Sequence, residues 1–133
     1  MEVRPGDILL ISTGWLRWYQ TLSAERRAAF PPASSFVTSG LSADESMARL
    51  LWDLHVSAVA ADNPALEAYP RHEGQFLHHH LLNLLGIPIG ELWDLDELVA
   101  DCRVSGTWDC LLVSAPMGLR GGAGSPANAI AIR

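Results

Sequence analysis

Three adjacent histidines, His78, His79 and His80, stand upstream of Glu91 with the apolar stretch 81–90 between them. Neutral imidazole and carboxylate are ligand types that zinc and manganese accept, so metal-assisted chemistry is what this segment offers. Neighbouring residues on a helix point about 100° apart, so at most one or two of the three imidazoles face the same pocket. His79 and Glu91 are twelve positions apart with Gly86 between them. That layout lets a helix and the extended segment after it pass the same metal ion. The same residues also read as a solvated histidine patch and an acidic first turn of the next helix. A catalytic metal usually takes three protein ligands and keeps one position open, so two ligands are not a site.

Other chemistries find less support. The loop from Gly118 to Ser125 is glycine-rich, and consecutive glycine amides can cradle an anion. It has no Gly-Lys-Ser/Thr ending, however, and Pro126 follows where a helix would have to begin, so a tight structural loop is the expectation. Ser12, Ser114 and Ser125 lie in no nucleophile elbow, which leaves a serine hydrolase unsupported. All nine basic residues are arginine, and the absence of lysine excludes Schiff-base and P-loop lysine chemistry. Asp62 reads as a strand-end carboxylate, catalytic or turn-capping. His55 and His72 have no partner pattern. No catalytic residue is assigned.

The elements that must position these groups follow from local pattern. Ile8-Leu9-Leu10-Ile11 is a short apolar run suited to a strand, broken at Gly14. A short helix is predicted over 23–30, started by Ser23 and halted by Pro31-Pro32. Ser42-Ala43-Asp44-Glu45 has the form of a capping box, predicting a helix start at Ser42. Met47, Leu50, Leu51 and Leu54 then mark one helical face ending near His55. Residues 56–61 read as a second strand that stops at Asp62-Asn63-Pro64. A helix is expected over 75–85 with Gly86 as its C-terminal cap, and a smaller one over 94–102. Ile87-Pro88-Ile89 is too short and proline-limited for a central strand. Residues 108–113 and 127–132 read as two final strands joined by the glycine loop. The mixture gives an α/β or α+β class and, at 133 residues with 49% hydrophobic content, one domain over 1–133.

Fifteen acidic against nine basic residues leave a formal charge of −6, which argues against nucleic acid or an anionic membrane as partner. Cys102 and Cys110 lack Cys-x-x-Cys spacing and read as reduced thiols. With no signal-like N-terminus and no run long enough to span a bilayer, a cytoplasmic protein is expected.

Several segments, taken in order, resemble the cyclase family of metal-dependent hydrolases, which includes bacterial kynurenine formamidase and isatin hydrolase. They are residues 6–15, Gly40-Leu41-Ser42, residues 59–67, His79-His80-Leu81-Leu82 running to Gly86-Ile87-Pro88-Ile89-Gly90-Glu91-Leu92, Ala115-Pro116 and residues 121–129. The resemblance implies a swivelling β/β/α domain and a one- or two-metal centre, zinc or manganese, that activates water to cleave a small-molecule amide. It implies that His79 and Glu91 are metal ligands, because the family's late histidine and glutamate are also twelve apart. The family's His-x-Gly-Thr-His-x-Asp-x-Pro-x-His signature is absent here. The resemblance therefore implies a partial, C-terminal portion with an incomplete ligand set. It also implies weak metal binding and little activity on its own, with a homo-oligomer or a partner chain supplying the missing motif. The competing expectation is a non-catalytic assembly module of the same fold.

Overall fold

The computed structural model describes residues 2–32 and 35–133, which form two compact units, residues 2–96 and 97–133. In the first unit, β1 (Ile8–Ile11), β2 (Ala58–Ala61) and β3 (Ile89–Gly90) make a parallel sheet in the order β1-β2-β3. Ile8 to Ile11 pair with Ala58 to Ala61, and Val59 and Ala60 pair with Ile89 and Gly90. The proline-limited segment thus joins the sheet only as a two-residue edge, while β2 is central.

Among the described residues four α-helices accompany the sheets: α1 (Trp15–Gln20), α2 (Ala24–Ala28), α3 (Glu45–Asp53) and α4 (Asp96–Ser105). A π-helix also runs from His79 to Leu85. Helix α1 has no counterpart in the sequence reading. Gly14, read there as a breaker, takes a left-handed φ of 81° and turns the chain directly into that helix. Helix α2 begins as expected, with the Ser23 hydroxyl accepting from the Arg26 N–H.

Helix α3 starts two residues later than the capping-box reading placed it. Its cap is Asp44, whose carboxylate accepts from the Met47 N–H at 3.1 Å while the Ser42 and Ser46 hydroxyls donate to it at 2.6 Å. A carboxylate at a helix N-terminus gains from the macrodipole as well as the hydrogen bond, so it displaces the hydroxyl as cap. The three donors, Ser42 foremost, hold the Asp44 carboxyl down to about 2. The buried face of α3 is Ala48 and Leu51, flanked by Met47 and Leu54, whereas Leu50 is half exposed.

The core of this unit gathers Leu51 of α3, Val59 and Ala61 of β2, Leu66, Leu77, Leu81 and Ile87. At roughly 25 cal/mol per Å² of apolar surface buried, such side chains supply most of what opposes chain entropy. Gly86, at φ 67°, closes the π-helix in the left-handed conformation expected of a terminating glycine.

In the second unit, β4 (Leu111–Val113) and β5 (Ile130–Ile132) form an antiparallel ribbon. The Arg133 guanidinium ties β5 to α4, pairing with Asp101 at 3.1 Å and donating to Cys102 Sγ and the Thr107 carbonyl. Cys102 is buried and Cys110 partly so, and both are free thiols. The loop between the strands is exposed and enters no helix. No helix among the described residues is long and apolar enough to cross a membrane.

Candidate functional site

The parallel strands of the first unit deliver the chain, at their C-terminal ends, to a set of buried polar residues. Asp62 follows β2 directly and is 1% exposed. Its Oδ1 accepts from the Thr13 N–H at 2.7 Å and the Thr13 hydroxyl at 2.6 Å, and its Oδ2 accepts from the Gly14 N–H at 2.7 Å. Of the two roles open to Asp62, the geometry shows capping, and the loop it caps follows the neighbouring strand. A carboxylate so satisfied is not placed to act on a substrate.

Asn63 is fully buried. Its side-chain amide donates to the Ser39 carbonyl at 2.8 Å, and its backbone carbonyl accepts from the Leu92 N–H at 3.0 Å. Leu66 then takes φ 54°, a conformation that costs a non-glycine residue on the order of 1–2 kcal/mol. The turn sends the Leu66 side chain into the core and leaves Glu67, also fully buried, facing the π-helix.

Glu67 meets His78. The His78 Nδ1 lies 2.7 Å from Glu67 Oε2, and its Nε2 lies 3.0 Å from Glu91 Oε1. The imidazole is therefore strung between two carboxylates, with one face stacked on Phe76 at 5.2 Å. The hydrogen bond from Glu67 first, and that from Glu91 second, raise the His78 imidazole from 6.5 to about 9 against the opposing effect of burial. The two carboxyl groups thus favour the protonated form of the ring at neutral pH. Glu91 is held by the sheet. Gly90 pairs with Ala60, and the Trp93 N–H donates to the Ala61 carbonyl at 3.1 Å.

His79, the histidine singled out by the twelve-residue spacing, is exposed. Its ring has no hydrogen-bond partner among the described residues and lies 6.1 Å from that of His80. The structure brings Glu91 together with His78, thirteen positions away, and not with His79. The helix that follows is π-helical, and a π-turn takes up about one residue more than an α-turn. That extra residue matches the offset. Glu67 carried no signal in the sequence beyond its place in the segment 59–67.

Gly40 sets the distance to Glu67. The Leu41 N–H donates to the Leu66 carbonyl at 3.0 Å, and a Cβ on Gly40 would stand 2.6 Å from the Leu66 and Glu67 carbonyl oxygens. Backbone cannot yield as a side-chain tip can. Gly40→Ala is expected to cost about 2 kcal/mol and to move Glu67 off His78, seen as a lower melting temperature and a shifted His78 ring resonance.

The donor types suit a divalent metal, and Glu67 Oε1 is buried without a partner. Their arrangement does not. Both ring nitrogens of His78 face carboxylates, so the three groups line up with one another instead of converging on a point. Among the described residues no three His, Cys, Asp or Glu side chains are grouped to hold a metal.

A crystal structure described as that of a novel cyclase is similar to this chain, with a TM-score of 0.84 and 35% identity over 99% of its residues. The fold is that of the cyclase family. The chain spans 42% of the length of that cyclase. No family model and no curated protein matches the sequence.

Proposed function

We propose that this chain is one part of a metal-dependent amidohydrolase of the cyclase family, akin to the kynurenine formamidases and isatin hydrolase. Its substrate is an N-acyl or cyclic amide, and a segment outside these residues completes the centre. The observation that carries this reading is the Glu67–His78–Glu91 constellation at the strand ends of a cyclase fold. In this reading Glu91 contributes to a zinc or manganese centre. The imidazole beside it is that of His78, in the place the resemblance gave to His79; to hold a metal it would have to give up its proton and its contact with Glu91. Glu67 fixes the ring from behind, as a buried carboxylate does for a functional histidine. Water adds to the amide carbonyl, the C–N bond breaks, and the departing amine takes up a proton.

The non-convergent donor set favours a second reading, a cyclase-like assembly module without catalysis. Titration calorimetry of the isolated chain with zinc and manganese is expected to show binding weaker than micromolar. Sub-micromolar binding abolished by His78→Ala or Glu91→Gln would show that the chain forms its centre unaided. The two readings part when the chain is joined by the missing motif. An enzyme then hydrolyses an N-formyl arylamine and loses that activity with Glu91→Gln, and a module does neither.

A further inference from the structure

One ring away from His78 the chain holds an arginine in place. The Arg71 guanidinium lies over the Phe76 ring, its central carbon 4.2 Å from the ring centroid, and over the Tyr69 ring at 5.8 Å. Its Nη1 donates to the Gln75 carbonyl at 2.8 Å, across a turn in which Gly74 takes φ 80°. Tyr69 is itself stacked on Phe36 at 5.2 Å, and Phe76 on the His78 imidazole at 5.2 Å. Two stacked contacts thus lead from the guanidinium to the ring that meets Glu67 and Glu91. All of these residues belong to the first unit.

Fixing a long cationic side chain costs rotamer freedom, and here the fixed cation is left without a counter-charge. No Asp or Glu among the described residues pairs with Arg71, Glu73 of the same turn included. A guanidinium carries a planar fork of N–H donors that matches a carboxylate, and the Gln75 carbonyl occupies only part of it. The aromatic faces orient the plane without using those donors, because their attraction acts through the ring quadrupole. A cation so oriented is preorganised for a planar anion. The carboxylates Glu67 and Glu91 repel an anion at the other end of the stack. Opposite charges one ring apart therefore fix which way round an anionic substrate lies.

We propose that Arg71, held against Phe76 and Tyr69, is the subsite for a carboxylate on the substrate. The amide acted on beside His78 and Glu91 is then an anionic one, with its carboxylate set off from the scissile bond by the width of an aromatic ring. This inference rests on the proposed function for the identity of its ligand.

The test compares 4-formamidobenzoate with formanilide, the same amide without the carboxylate, by nuclear magnetic resonance titration of the labelled 133-residue chain. 4-Formamidobenzoate is expected to bind about tenfold more tightly and to shift the Arg71 Nε–H resonance. Arg71→Gln is expected to remove that preference, and Arg71→Lys, which keeps the charge without the planar fork, to restore only part of it. An arginine that merely braces the turn would give no difference between the two ligands. Arg49→Gln, in an exposed pair with Glu45 on α3, is expected to leave the preference unchanged. Circular dichroism checks that each variant folds, and Arg71→Lys carries the test where Arg71→Gln does not. Equal binding of the two amides by the parent chain, or a preference that survives Arg71→Gln, would overturn the assignment. So would displacement of 4-formamidobenzoate by inorganic phosphate at equal concentration, since the arginine is then a site for any small anion. Once the missing motif is joined to the chain, equal kcat/KM for both amides removes this subsite and leaves the proposed function standing. An Arg71-dependent binding preference with neither amide hydrolysed does the reverse.

Discussion

Asp62→Ala is expected to destabilise the protein by about 4 kcal/mol, enough to unfold much of the population of a marginally stable domain at 37 °C. Four donors point at this one buried carboxylate: the Thr13 and Gly14 N–H groups, the Thr13 hydroxyl and, more distantly at 3.5 Å, the Ser12 hydroxyl. Alanine strands all four. Each buried donor left without a partner costs about 1–3 kcal/mol, and the methyl group fills none of the space. Asp62→Asn is the sharper comparison. It keeps the shape but presents an N–H₂ group to one set of donors, so about half of the loss should remain. Urea denaturation of both variants against the parent checks this, and a change below about 1 kcal/mol for alanine would refute the capping role.

His78→Ala is the second large effect, expected near 3 kcal/mol, with His79→Ala within about 0.5 kcal/mol of the parent. Removing the imidazole leaves Glu67 fully buried with neither oxygen satisfied, because Oε1 already has no partner. The pH dependence has a definite sign. The folded-state value of His78, about 9, lies above the ordinary 6.5. Stability from the protonated ring is therefore fully present below about pH 6.5 and is lost as pH rises through about 9. The loss amounts to at most roughly 3 kcal/mol. His78→Ala should flatten this slope, and denaturation series at pH 6, 7.5 and 9.5 read it directly. A parent protein equally stable across that range would show that the carboxylates do not hold the ring charged.

Local signals account for what the sequence revealed. The run Ile8–Ile11, the Ser23 cap and the Gly86 stop depend on residues within a turn of themselves and stand where expected, and the second strand, expected over 56–61, occupies Ala58–Ala61. The cap of α3 was misplaced because Ser42 and Asp44 are both competent caps, and the charge on Asp44 decided between them. At the site, Glu91 was legible and Glu67 was not. Glu67 reaches His78 only because Leu66 adopts a left-handed turn and Gly40 lets a distant backbone approach, and neither has a period or a motif. His79 is singled out by the family's twelve-residue spacing, whereas the contact to Glu91 is made by His78, which precedes a π-helix whose wider pitch no local pattern announces.

The contacts to Asp62 come from residues 48 to 50 positions earlier in the chain. Loop closure over that distance carries an entropic cost, and only with β1 seated beside β2 does the buried Asp62 carboxylate gain its hydrogen-bond donors. The segment after β2 that bears Glu67 therefore depends on β1 for the partners of Asp62, and the end of the unit where Glu67 meets His78 is expected to lose order first when the N-terminal strand frays.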